Sequence, residues 1–258
     1  MDLGLNGKIV LVTGGSKGIG RACARAFVAE GARVAIVSRT QATLDRACTD
    51  LPGIVGISAD LSDADAALRA VDEAERRLGP IDILVNSAGA ARRTPPDDLS
   101  PAHYRAAMDA KFFTYVNAID PVVKRMGERG HGTIVNVIGN GGKIASLVHI
   151  AGGAANAALM LATAGLAAAY ASKGVRVVAV NPGLTETERV AEGFEADAKL
   201  AGITTDDARQ RGVARVPMGR FAEPEEIANA VVFLASGWAS YISGVSISMD
   251  GVAAPTII

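Results

Sequence analysis

The chain has 258 residues, 26 basic against 27 acidic side chains, and two cysteines. Its length suits one doubly wound α/β domain over 1–258 rather than two domains. The charge balance offers no field for nucleic acid or an anionic membrane and leaves a small-molecule substrate as the expected partner.

The first residues run from Asp2 into an apolar stretch at 9–12 without a basic region or a cleavage-site pattern, so no export signal is expected. Cys23 and Cys48 lie in helical contexts away from metal-ligand or disulfide spacings, which predicts reduced thiols, no metal and a cytoplasmic protein. Short β-branched runs at 9–12, 34–37, 53–58, 81–85, 133–137, 175–180 and 246–249 alternate with alanine-rich helical segments. This alternation predicts a Rossmann-type doubly wound α/β sheet of about seven mostly parallel strands with helices on both faces.

After the first run comes Thr13-Gly14-Gly15-Ser16-Lys17-Gly18-Ile19-Gly20 and then a helix. Glycines between strand and helix let a backbone approach a pyrophosphate, whose charge the helix N-terminus holds. Further on, the stretch from Ile144 to Ser172 has no Asp, Glu, Lys or Arg and is long enough to span a bilayer. Its alanines, Gly152-Gly153 and Asn156 instead predict a core helix, apolar nearly all round, packed on the sheet and against a second subunit. The charged, glycine-punctuated segment at about 184–216 follows a strand end, where such folds place a substrate lid.

The glycine turn resembles the T-G-x-x-x-G-x-G fingerprint of the short-chain dehydrogenase/reductase family, and other features follow in the family's order. Asp60-Leu61 resembles its adenine contact, and Asn86-Ser87-Ala88-Gly89 is similar to its N-N-A-G turn. Pro182-Gly183-Leu184-Thr185, with Thr187, resembles the segment that holds the nicotinamide carboxamide. Asp250-Gly251 matches the family's ending, except that Val252 replaces the usual last glycine. The resemblance covers essentially the whole chain and implies a cofactor site at Gly14, Ser16, Lys17, Gly18, Ile19, Gly20, Ser38, Arg39, Thr40, Asp60, Leu61, Asn86, Ala88, Gly89, Pro182, Gly183, Leu184, Thr185 and Thr187. At the end of the second strand, Ser38-Arg39-Thr40 offers a guanidinium and no carboxylate; with Lys17 nearby, this favours NADP(H) over NAD(H).

The same resemblance implies a catalytic serine, tyrosine and lysine, but their places hold Gly139, Gly152 and Asn156, and Lys111 stands where an asparagine is usual. Lysine and asparagine thus have the look of an exchanged pair. Lys111 is expected as proton donor or electrostatic anchor and Asn156 as a hydroxyl or water ligand, with His149 and Tyr115 as possible proton relays. Gly139-Asn140-Gly141-Gly142 offers extra room or backbone amides. Tyr170-Ala171-Ser172-Lys173 imitates the family's tyrosine-lysine motif, but its place before a strand puts it at the wrong sheet edge. Two functions follow: an NADP(H)-dependent oxidoreductase acting on a carbonyl, alcohol or activated double bond of a small, mainly apolar substrate, or an NADP(H)-binding sensor or partner subunit without turnover. In either case the glycine- and alanine-rich helices predict a homodimer or homotetramer.

Overall fold

The computed structural model describes residues 2–89 and 91–256. Seven strands, β1 (Ile9–Thr13), β2 (Arg33–Ser38), β3 (Val55–Ser58), β4 (Ile83–Asn86), β5 (Gly132–Val137), β6 (Val175–Pro182) and β7 (Ser246–Met249), form one sheet in the order β3-β2-β1-β4-β5-β6-β7. Every neighbouring pair is parallel. Two strands begin later than their apolar runs, β3 at Val55 rather than 53 and β4 at Ile83 rather than 81. Gly53 has a φ of +91°, outside the extended region, and thereby delays the start of β3.

The uninterrupted apolar runs have a direct cause in the layering. Val10 and Val12 pack into one core with Phe27 of α1 (Gly18–Ala29) and Val231 of α9 (Pro224–Ala235). Leu11, between them, points through the sheet to Val71 of α3 (Ala64–Leu78) and Tyr115 of α5 (Thr114–Arg129). Helices α2 (Gln41–Asp50), α4 (Pro101–Ala107) and α6 (Ile150–Tyr170) complete the layers. With both faces covered, a polar residue on a central strand must find its partner inside the protein.

Helix α6 meets the sheet with one of its two apolar faces. It is long and apolar enough to cross a membrane by composition, yet it packs on β6 through one stripe, Ala151, Ala155, Leu159, Thr163 and Ala167, spaced four apart. The opposite face is not buried in the chain, and Leu161 is 77% exposed. The excursion between β6 and α9 contains α7 (Glu188–Ala201) and α8 (Thr205–Val213), joined by a small core of their own around the stacked rings of Phe194 and Phe221.

Both cysteines are free. Val252 is the sole non-glycine at positive φ among the described residues, at +67°. The backbone there keeps the left-handed geometry that glycine favours while carrying a β-branched side chain.

Candidate active site

Strand order reverses between β1 and β4, so a crevice opens at their carboxyl ends, the usual ligand position in such sheets. The glycine turn leaves β1 there. A Cβ at Gly14, where φ is +66°, would lie 2.8 Å from the Ser87 carbonyl and 2.9 Å from the Ala88 nitrogen, and one at Gly20 would strike the Gly14 carbonyl. The turn is therefore folded tightly against the 86–89 segment. No side chain caps the first turn of α1, whose Gly18, Ile19 and Gly20 amides point out of the helix start. This cradle fits a pyrophosphate.

At the rim, the Ser16 hydroxyl donates to Ser38 (2.9 Å), and Thr43 donates to the carbonyl of Thr40 (2.8 Å). Arg39 is exposed and makes no ion pair among the described residues. Lys17, expected to add a second charge beside Arg39, instead pairs with Glu188 at 2.9 Å because the start of α7 lies over the glycine turn. Asp60 accepts from the Ser62 amide and hydroxyl, which hold its carboxyl below the usual range, while the Leu61 carbonyl accepts from Asn117.

Asn86 was expected among the ligand-facing residues, but it is completely buried and both ends of its amide are used internally. Its oxygen accepts from Thr13 (3.3 Å) and its nitrogen donates to Asn136 (3.0 Å); Asn136 in turn donates to Thr163 (3.0 Å), which donates to the Leu159 carbonyl (2.8 Å). Thr13 also accepts from the amides of Ser87 and Ala88. This chain of hydrogen bonds ties β1, β4, β5 and α6 together beneath the crevice, and the Asn86 side chain holds the turn from within. Thr13, Asn136 and Thr163 were not singled out from sequence; isolated polar residues within apolar runs were the available signal.

Gly89, with φ +94°, abuts a single π-helical turn, Met108–Phe113, between α4 and α5. A Cβ at Gly89 would collide with the Ala110 carbonyl. The wide turn directs Lys111 inward. Lys111 is 8% exposed and donates to the Tyr115 hydroxyl (2.8 Å) and to the Val137 carbonyl (3.2 Å) at the end of β5. Tyr115 also donates to that carbonyl. Burial, with the positive charge of Arg189, lowers the Lys111 amine to about 7. Tyr115 is wholly buried, its hydroxyl pushed upward by desolvation, so it anchors Lys111 and is no proton relay to the crevice.

On the other side, Gly139 and Gly141 leave space for α6. A Cβ at Gly139 would lie 3.3 Å from the Asn156 amide nitrogen; one at Gly141 would lie 3.3 Å from the His149 ring and 3.5 Å from Asn156. Asn140, between them, is held by Asp250 at 2.6 Å. His149 immediately precedes α6 in a non-helical conformation, and its ring folds back into the volume that a side chain at Gly152 would need. Half-buried, its imidazole sits below the ordinary histidine value, chiefly through desolvation and then through the charges of Arg189, Arg93 and Lys111. Thus His149 and Asn156 both border the space at Gly141, and the positive charge of Lys111 adds to the lowering of the histidine. The Tyr170 ring lies against Gly127 with the Lys173 amine 5.1 Å above it, a stack at the far end of α6.

The segment leaving β6 closes the crevice. A Cβ at Gly183 would lie 2.9 Å from Asp250, Thr185 is buried with its hydroxyl on the Gly183 carbonyl (3.3 Å), and Thr187 caps α7. Pro182 ends β6 and Leu184 packs on the α7–α8 core.

A family model described as enoyl-(acyl carrier protein) reductase matches residues 14–251. Galactitol 2-dehydrogenase (L-tagatose-forming) of Cereibacter sphaeroides is 38% identical over 251 residues, covering 96% of this chain and 95% of the relative. The chain belongs to the short-chain dehydrogenase/reductase family. Within that family it is also similar to D-threitol dehydrogenase of Mycolicibacterium smegmatis, 35% identical over 255 residues with 97% and 94% covered. L-sorbose reductase from Gluconobacter frateurii, solved with NADPH and L-sorbose, superposes with a TM-score of 0.93 at 28% identity, with both chains fully covered. An actinorhodin polyketide ketoreductase solved with NADPH gives the same TM-score and identity, with 96% and 98% covered.

Proposed function

We propose that this short-chain dehydrogenase/reductase is an NADP(H)-dependent oxidoreductase that interconverts a carbonyl and an alcohol with a rebuilt acid/base site. The observation that carries this reading is the His149 imidazole standing in the space that Gly152 vacates, in the cleft beside Asn156. A bound nicotinamide supplies or takes the hydride. His149 gives a proton to the substrate oxygen in reduction and accepts one in oxidation. Asn156 orients that oxygen or a water from the position of the family's lysine, and the charge of Lys111 tunes His149. Helices α7 and α8 form a lid that excludes water.

Arg39 supports the NADP(H) preference: an exposed guanidinium at the end of β2, with no ion pair among the described residues, suits bidentate recognition of a 2′-phosphate. Losing charged hydrogen bonds of this type costs about 1.5–3 kcal/mol, so Arg39→Ala is expected to weaken NADPH binding about 10- to 100-fold and leave NADH binding much less changed. Calorimetric titration with both dinucleotides measures this, and equal affinities in the unaltered protein would defeat the phosphate reading. Hydride transfer to a carbonyl panel, followed by nicotinamide absorbance, tests the activity. Tight NADPH binding with no turnover on any member supports the sensor or silent-subunit reading.

The uncovered face of α6 supports a homo-oligomer, since an alanine-rich helix with Leu161 outermost presents apolar surface to water. Sedimentation is expected to show a dimer or tetramer that Leu161→Glu shifts towards monomer; a monomer at micromolar concentration in the unaltered protein rejects this expectation.

A further inference from the structure

The His149 ring and the Asn156 amide keep their room only while the loop after β5 keeps its shape, because Gly139 and Gly141 are the residues that face them. Three of the four residues from 139 to 142 are glycine, and Gly139 has a φ of +122°. Such a run has much conformational freedom to lose, so a grip from outside it matters. Its own backbone supplies one short turn, in which the Lys143 and Ile144 amides donate to the Asn140 carbonyl at 2.9 and 3.2 Å.

The grip comes from the end of the chain. Asn140, the one residue of the run with a side chain, donates its amide nitrogen to Asp250 at 2.6 Å, across 110 residues. Asp250 directly follows β7 and is itself fixed: its carboxylate accepts from the Val252 and Ala254 amides at 3.1 and 3.0 Å, and it lies so close to Gly183 that a Cβ there would come within 2.9 Å. Lys143 adds a second fastening to β7, donating to the Ser246 carbonyl (3.2 Å) and the Ser248 hydroxyl (3.1 Å).

The polarity of the Asn140 contact follows from the carboxylate. Facing it, the amide must turn its nitrogen that way, and its oxygen is then buried without a donor among the described residues. An unmet buried acceptor is costly, and the charged hydrogen bond offsets that cost. The side chain is thus held for the position of the loop, not for its own solvation.

We infer that Asp250 is a positioning residue for the proposed proton-transfer cleft: through Asn140 it clamps the glycine loop in the shape that leaves room for His149 and Asn156. This rests on the oxidoreductase reading of that cleft and adds to it a residue that acts through another. One carboxylate holds both the turn at Val252 and the loop at Asn140, so the end of β7 and the catalytic loop move as a unit.

Asn140→Ala removes the contact and leaves the Asp250 turn in place. With NADPH and ethyl acetoacetate, acetophenone or 2-octanone, it is expected to lower kcat about 10- to 100-fold, the range for a charged hydrogen bond, and to leave NADPH affinity unchanged. The falling limb of the pH–rate profile should move up towards 6.5 as the loosened loop admits water to the imidazole, a shift that a general loss of stability does not produce. Asn140→Asp sets two carboxylates against each other and should lose more; adding Asp250→Asn again faces an amide with a carboxylate and should recover most of that loss. Independently of turnover, amide hydrogen exchange read by mass spectrometry should quicken about 10-fold across 139–149 in Asn140→Ala and not elsewhere. Faster exchange there without turnover of any carbonyl upholds the clamp and overturns the oxidoreductase reading. Turnover with kcat and the pH limb unchanged in Asn140→Ala overturns the clamp and leaves that reading standing. The clamp is also overturned by unchanged exchange, by a loss of NADPH affinity matching the loss of kcat, or by a double variant no better than Asn140→Asp alone.

Discussion

His149→Phe is expected to lower kcat by about 10²–10⁴, the range for losing a positioned proton donor or acceptor. Phenylalanine keeps a flat ring in the space beside Gly152 and removes both nitrogens, so the variant separates proton transfer from packing. NADPH affinity, measured on the same preparation, reports whether the glycine turn and the β6 segment remain intact. The pH profile adds a sign. Burial and three nearby cations hold the imidazole below its usual 6.5, so the neutral form predominates at pH 7. Alcohol oxidation, which needs the base, should rise with pH through that lowered value and then level off; carbonyl reduction, which needs the acid, should fall through it. Both limbs are expected to vanish in His149→Phe. An undiminished kcat would remove histidine from the proton path.

The space itself provides a second check. If the family's tyrosine and this histidine occupy one volume, Gly152→Tyr alone should be inactive because the new side chain meets the imidazole. Combining it with His149→Ala frees that volume and should recover part of the lost turnover. Failure of the double variant to exceed His149→Ala would show that position 152 no longer faces the substrate.

The sheet was legible because its signal is repeated and local: seven apolar runs, each punctuated by helix, with Val10 and Leu11 serving opposite faces of the same strand. The cofactor cradle was legible for a similar reason, since its glycines are required by contacts such as that between Gly14 and Ser87. The same logic did not reach the side-chain partners of Asn86 and Lys17, Asn136 and Glu188, which are 50 and 171 residues away. No periodicity reports such pairings. Lys111 was identified by its unusual place in the family pattern, but the π-helical turn that buries it and the Val137 carbonyl that receives it are tertiary facts. For His149, the signal was its place in a loop three residues before Gly152, where it could line the pocket. What sequence alone does not supply is that the glycine's missing side chain makes room for the ring. Val252 shows the reverse case: the sequence departs from the glycine pattern, and the backbone keeps its positive φ regardless.

Lys111→Met is expected to stabilise the protein below neutral pH and to abolish a stability rise above it. The unfolded lysine titrates near 10.5 and the folded one at about 7, so between those values the unfolded chain binds a proton that the folded chain has released. Stability therefore increases with pH across this window, is fully present above 10.5, and is lost as pH falls to 7. At about 1.4 kcal/mol per pH unit, the contribution has a ceiling of about 5 kcal/mol. Methionine matches the lysine stem in volume, and Tyr115 still donates to the Val137 carbonyl, so the variant removes the buried cation without stranding that acceptor. Urea denaturation at pH 6, 7.5 and 9 measures the difference. A parallel pH dependence in both proteins would mean that Lys111 stays protonated in the fold, compensated by a partner. A fold that pays for an uncompensated lysine must gain from it elsewhere. If Lys111→Met is the more stable protein and also loses an ionisation near pH 7 from its pH–rate profile, that gain is the control of His149 by a second proton-holding group.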